Sequence, residues 1–186
     1  MVPIPALWLP ILAATVLVFV ASCIVWMVLP HHKSDARRMP DEEAALEALG
    51  RQNLRPGLYR FPWADSMAEM KDPLFVAKLN KGPVALMTVL PSGPFNMAKS
   101  MALWTAYLVV IGIFVAYVTG RVLGPGASYL EVFRVAGTVA CLAYSGSQLP
   151  NAIWWGKPLS VVFKEIVDGI VYGLLTAGAF GWLWPR

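Results

Sequence analysis

The chain has 186 residues, of which 58% are apolar and 14% charged, against roughly 45–50% and roughly 25% in an ordinary soluble domain. With a mean hydropathy of +0.59, that balance argues against a soluble globular protein and for a polytopic membrane protein. The net charge of +4 does not call for a nucleic-acid partner: ten of the fifteen basic residues fall between Lys33 and Lys99 beside eight of the eleven acidic ones, and an excess of Lys and Arg beside membrane spans is expected.

A hydrocarbon core about 30 Å thick takes about 20 mostly apolar residues per helix. The first such stretch lies within residues 1–29 and runs from about residue 5. Pro10 falls in its opening turn, where the N–H that proline lacks would be unpaired anyway. No basic n-region precedes it and its apolar core is long for a signal peptide, so a retained helix is expected. Cys23 here, and Cys141 further on, have no CxxC or CxxH neighbour and read as small packing residues. The segment that follows, His31-His32-Lys33-Ser34-Asp35-Ala36-Arg37-Arg38, is a basic cytoplasmic flank. Adjacent histidines do not share a helix face, and no third ligand stands at metal-site spacing, so neither a metal nor a cofactor is assigned to them.

Residues 30–100 form the one sizeable polar region, expected to be a small mixed α/β insert on the cytoplasmic side. Asp41-Glu42-Glu43 place negative charge where a helix N-terminus is positive, and the residues after them favour helix, with Gly50 as its left-handed stop. Ser66 and Glu69 match a capping box, and Asp72-Pro73 set a cap before a first-turn proline, with Gly82 as the stop. Short helices are therefore expected at 41–49, 67–71 and 73–80. Gly57-Leu58-Tyr59-Arg60-Phe61 and residues 84–90 have strand composition and could pair. A strand is the favoured reading of the second; the alternatives are a segment lying on the bilayer or an edge offered to another subunit.

Three further spans are expected at about 101–123, 129–149 and 159–184, within a three-helix region covering 101–186. Pro150 stops the third, after the polar interruption Ser145-Gly146-Ser147-Gln148. Lys and Arg counts then put both termini outside and residues 30–100 inside, with Lys157 and Lys164 on the inner side and Arg121, Arg134 and Arg186 on the outer. Seven of the eight Trp, all except Trp63, fall at the expected interfaces, where indole rings prefer to sit.

Small residues recur at every fourth position of the fourth span: Gly169, Gly173, Ala177 and Gly181. Such a stripe lets helix backbones approach closely, either within the chain or against another. Gly112, Ala116 and Gly120 repeat the pattern more weakly in the second span, and Gly137, Cys141 and Ser145 do so in the third. Ionisable groups at membrane depth suggest function. Arg121, Glu131 and Arg134 could form an ion-pair cluster at the outer side. At the inner side Lys164 and Asp168, spaced i,i+4, could pair, and Asp168 could share a polar pocket with Tyr144, Ser145 and Gln148.

No GxGxxG, Walker loop, HExxH, GxSxG or CxxC motif is present, and no catalytic residue is assigned. The stretches VPIPALWLPI, HHKSD, PDEE, LPSGP and FGWLWPR resemble a family of small, uncharacterised bacterial integral membrane proteins. The likeness runs the length of the chain; it implies a bacterial inner-membrane setting and transfers no site residue.

The expectation is thus an all-α membrane protein of four transmembrane helices, acting as a non-enzymatic accessory or assembly subunit. Its partners would be the bilayer and another membrane protein or a second copy. Two alternatives stand beside it: a small homo-oligomeric transporter or proton or ion conductor using Asp168, and a membrane enzyme acting on lipid or quinone.

Overall fold

The computed structural model describes residues 1–186; 65% of them are helical and one two-stranded sheet is present. The chain divides into two units, one made of Met1–Ala36 with Asn96–Arg186 and the other of Arg37–Phe95.

In the first unit a 3-10 turn, Ile4–Leu7, leads into α1 (Trp8–Cys23), which runs on as a wider π turn over Ile24–Val28. After the second unit come α4 (Met97–Val122), α5 (Tyr129–Ser145), α6 (Gln148–Trp155) and α7 (Leu159–Trp182). Two helical segments, Ile4–Val28 and Met97–Val122, are long and apolar enough to cross a membrane. The other two expected spans do not meet that test. At 17 residues α5 is at the short end of what a bilayer core needs, and α7 carries Lys164, Glu165 and Asp168 within its first ten residues.

Local chemistry moves several boundaries from where the sequence suggests. The α4 helix starts four residues early because the Asn96 side chain accepts the Lys99 N–H at 2.9 Å, a side-chain cap. The third span was expected to reach residue 149, yet α5 ends at Ser145 and the short helix α6 begins at Gln148 where an inner loop was expected. Pro150 falls in the first turn of α6, where its missing N–H costs nothing, so it opens a helix rather than closing one. Gly156, with φ of 67°, ends α6 in the left-handed conformation that glycine adopts without strain.

Close packing in this unit is made by the small-residue stripes, which face their own chain. Along α5 and α7, Gly169 lies against Tyr144 and Ser145, Gly173 against Cys141, Ala177 against Gly137, and Gly181 against the Tyr129 ring. A Cβ on Gly137 would sit 3.1 Å from that of Ala177, and one on Gly181 would sit 2.8 Å from the Tyr129 ring. On α4, Gly112 meets Ile11 of α1, while Gly120 meets Leu7 and the Val2 backbone, whose N–H donates to the Gly120 carbonyl at 2.8 Å; Ala116 is fully buried. Within the bundle lie Leu7, Val18, Leu108, Val115, Val132 and Phe180. The outward faces of all four long helices carry large apolar side chains, among them Leu12, Phe114, Leu142 and Phe163.

The second unit contains α2 (Glu42–Gly50), β1 (Gly57–Phe61), a 3-10 turn (Glu69–Lys71), α3 (Pro73–Lys81) and β2 (Ala85–Val89). Asp41 caps α2 by accepting the Ala44 N–H at 3.0 Å, and Asp72 caps α3 by accepting the Leu74 N–H at 2.7 Å. Gly50 is the last residue of α2 rather than its left-handed stop; the positive φ, 49°, falls three residues later at Asn53. Only a 3-10 turn forms where a helix at 67–71 was expected. The two strands pair antiparallel with Gly57 opposite Val89 and Phe61 opposite Ala85, so residues 85–89 form a strand joined to β1 rather than a segment apart from it.

Candidate functional site

The sequence offers two expected polar clusters, and neither forms. At one end of the bundle, Glu131 accepts from the Ser128 backbone N–H and hydroxyl, both at 2.8 Å, and so completes the capping box of α5. Arg121 turns to the Tyr117 ring, 5.5 Å from its centroid, and to the Met1 sulfur. No ion pair joins Arg121, Glu131 and Arg134, because an N-cap holds the only carboxylate among them. At the other end, Asp168, Tyr144, Ser145 and Gln148 make no hydrogen bond to one another. Ser145 donates to the Ile166 carbonyl at 3.2 Å, Gln148 accepts from Asn151, and Tyr144 packs edge-on to Tyr107 and Tyr172. Asp168 and Gly169 are successive residues of one helix, so when Gly169 meets α5, Asp168 is turned about 100° away from it.

Asp168 instead meets the segment after α1. Residues 31–34 form a turn, closed by the Lys33 N–H donating to the Pro30 carbonyl at 3.0 Å, and the Asp35 N–H donates to the His32 carbonyl at 3.0 Å. In this turn both imidazoles reach the same carboxylate: His32 Nε2 is 2.7 Å from Asp168 Oδ2, and His31 Nε2 is 3.4 Å from Oδ1. The opposite nitrogen of His32, Nδ1, is 2.5 Å from Asp35 Oδ2. Lys164, one turn before Asp168 on α7, donates to Asp35 Oδ1 at 2.6 Å, to Ser34 Oγ at 2.9 Å and to the His31 carbonyl. Its partner is thus Asp35, not the Asp168 that the i,i+4 spacing suggests. Glu165 pairs with Lys157 at 2.5 Å.

The cluster is sheltered. His32 is 8% exposed and Asp168 7%, and the indole of Trp26 lies flat on the His32 ring, with centroids 3.8 Å apart and planes within 3°. Next to it along the helices, Trp104, Tyr107, Tyr144 and Tyr172 form an aromatic layer with ring centroids 5.4–6.5 Å apart. The Trp104 Nε1–H donates to Ser22 Oγ at 2.9 Å and fixes that layer to α1. His31 stays partly open, with 34% of its side chain accessible.

Carboxylates only accept, so the doubly protonated imidazolium is the form of His32 that satisfies both of its neighbours. Burial opposes that charge, but the hydrogen bonds His32 donates to Asp35 and Asp168 outweigh it and the His32 pKa is raised above its ordinary value. The Asp35 carboxyl is held below the usual carboxylate range, first by the Lys164 ammonium and then by His32. With His32 protonated, two carboxylates meet two cations. With His32 neutral, the cluster has one negative charge to spare.

His31, His32, Asp35 and Lys164 were each visible in the sequence, as a basic flank and as polar residues opening the fourth span. Nothing local shows that they converge, since 136 residues separate His32 from Asp168. Comparison with known proteins adds no assignment: no protein-family description, no curated protein and no solved structure matches the chain.

Proposed function

We propose that the protein is a four-span membrane protein of the bacterial inner membrane, with both termini outside and residues 30–100 in the cytoplasm. Its role in this reading is that of a non-enzymatic accessory subunit whose His31–His32–Asp35–Lys164–Asp168 cluster latches the chain leaving α1 to the inner end of α7. The two long apolar helices support membrane insertion. The outward apolar faces of α5 and α7, including Leu130, Leu142, Phe163 and Leu174, support counting these as spans despite their charge and length, because lipid is the solvent that favours large apolar residues outside and small ones within. Twelve of the fifteen basic residues fall on the cytoplasmic side of that topology.

The observation that carries the functional part is Asp168: a carboxylate 7% exposed near the start of a membrane helix, held by two imidazoles from a distant segment. Ionisable groups at that depth are expensive enough to suggest use. The small-residue stripes are occupied within the chain, so a partner meets the protein elsewhere: at the outward apolar faces, at α6 with its exposed Trp154 and Trp155, or at the insert. The test is isolation of tagged protein, at native expression, from detergent-extracted membranes, comparing the wild type with Asp168→Asn. A defined partner that is lost or weakened in the variant is expected; recovery of the protein alone would overturn the accessory role. The same buried carboxylate favours a second reading, a small cation conductor. Proteoliposome flux abolished by Asp168→Asn and unchanged by Lys33→Gln would replace the first reading with this one.

A further inference from the structure

We infer that His31, His32 and Asp168 form a binding site for a borderline divalent transition-metal ion of the zinc class. This goes beyond the accessory reading and does not depend on it.

The donor atoms of the three residues all lie within 4.8 Å of one another. Zinc bonds to imidazole nitrogen and carboxylate oxygen are about 2.0–2.1 Å long, so adjacent donors of a tetrahedral ion stand roughly 3.3 Å apart. The separation from His31 Nε2 to Asp168 Oδ1, 3.4 Å, already has that value. The 2.7 Å separation from His32 Nε2 to Asp168 Oδ2 is that of a hydrogen bond, and it opens by a small rotation of the carboxylate when the ion replaces the Nε2 proton, which leaves to solvent.

The surroundings are those of a built site. A ligating histidine commonly donates its second ring N–H to a carboxylate, which fixes the ring and strengthens the ligand. His32 presents Nε2 to the site and its Nδ1 to Asp35 at 2.5 Å, while Lys164 anchors Asp35 from the far side. The Trp26 indole holds the face of the same ring. Two nitrogens and one carboxylate suit zinc and its neighbours; magnesium and calcium take oxygen shells instead. Three protein donors leave a fourth position for water or for a ligand from another molecule, and the partial exposure of His31 leaves that side open. With neutral imidazoles, Asp35, Asp168 and Lys164 together carry one negative charge, which a dication outweighs without leaving the carboxylates unpaired.

The test is metal titration of the full chain, purified in detergent with a histidine-free tag and stripped with a chelator. Zinc is added in competition with a chromophoric chelator, and cobalt is used as a spectroscopic stand-in. The expected result is one zinc per chain, with cobalt giving the intense visible bands of a four-coordinate N/O site. His31→Gln, which removes a partly exposed donor with one long contact, weakens binding at least about 10-fold and changes the cobalt spectrum. Asp35→Asn, acting through His32, weakens it by about 10–100-fold. No stoichiometric zinc binding, or binding as tight in His31→Gln and His32→Gln as in the wild type, would overturn the assignment. Since the readout is the metal itself, failure here leaves the partner-isolation result standing, and the reverse also holds.

Discussion

The tight contact of Gly173 with Cys141 is the most direct way to test that the stripe on the last helix packs inside its own chain. A methyl group at Gly173 would meet the Cys141 Sγ and would sit 2.9 Å from the Cys141 nitrogen and 3.0 Å from its Cα. Ordinary contact is near 3.5 Å, so the overlap is about 0.5 Å and falls on backbone atoms, which cannot rotate aside. Gly173→Ala should therefore push the two helices apart at a cost of about 1–3 kcal/mol. Gly178→Ala is the matched control. It lies in the same helix, and its Cβ would find only the Tyr129 hydroxyl at 3.8 Å, so it should gain up to about 1 kcal/mol of helix propensity. At roughly 2–4 °C per kcal/mol for a chain of this size, thermal unfolding in detergent should separate the two variants by several degrees, with Gly173→Ala the lower. Cys141, half-buried at the contact, gives an independent readout, and its maleimide labelling should change in Gly173→Ala alone. Equal melting temperatures with unchanged labelling would refute the packing argument.

Other substitutions probe the remaining contacts. Trp104→Phe keeps an aromatic ring but loses the donor to Ser22 Oγ and part of the indole volume, and should destabilise the fold by at least about 1 kcal/mol; combination with Ser22→Ala should add less than the sum, a non-additivity measurable by a double-mutant cycle. Lys164→Gln releases Asp35 and the His31 carbonyl together, so hydrogen exchange over residues 31–36 should accelerate, while Lys33→Gln, outside the cluster, should leave it unchanged. Glu131→Ala should fray the start of α5 in hydrogen exchange and Arg134→Ala should not, since the Glu131 side chain serves the Ser128 cap rather than an ion pair; equal effects would restore the expected charge cluster. In the second unit, Asp72→Ala should lower α3 stability by about 1 kcal/mol through loss of its N-cap, seen as a lower denaturation midpoint.

The parts of the fold that the sequence discloses are those whose cause is local. Caps at Asp41 and Asp72 act over two or three residues, and each starts its helix as the pattern predicts. The pairing of residues 57–61 with 85–89 follows from two segments of strand composition bounded by proline and glycine. Where local signals compete, the reading is weaker. Pro150 reads as a terminator because proline cannot continue a helix already begun, yet it stands in the first turn of the new helix α6, the position that tolerates it.

The candidate site belongs to a different class of information. In a helix, His31 and His32 would diverge by about 100°, which is why their adjacency argued against a shared ligand. They converge because Pro30 and the wide turn at Ile24–Val28 end the helix before them, and the turn over 31–34 aims both rings at α7. The i,i+4 rule likewise pairs Lys164 with Asp168 along one helix, but a carboxylate approached by two imidazoles has no need of the lysine, and Asp35, arriving with the same turn, takes it. The long-range pairing thus displaces the short-range Lys164–Asp168 pair that the spacing suggests. It also accounts for the charge that makes α7 a poor span by composition: Lys164 and Asp168 are each matched by a group from the chain leaving α1, so the helix enters the bundle with those two charges already paired.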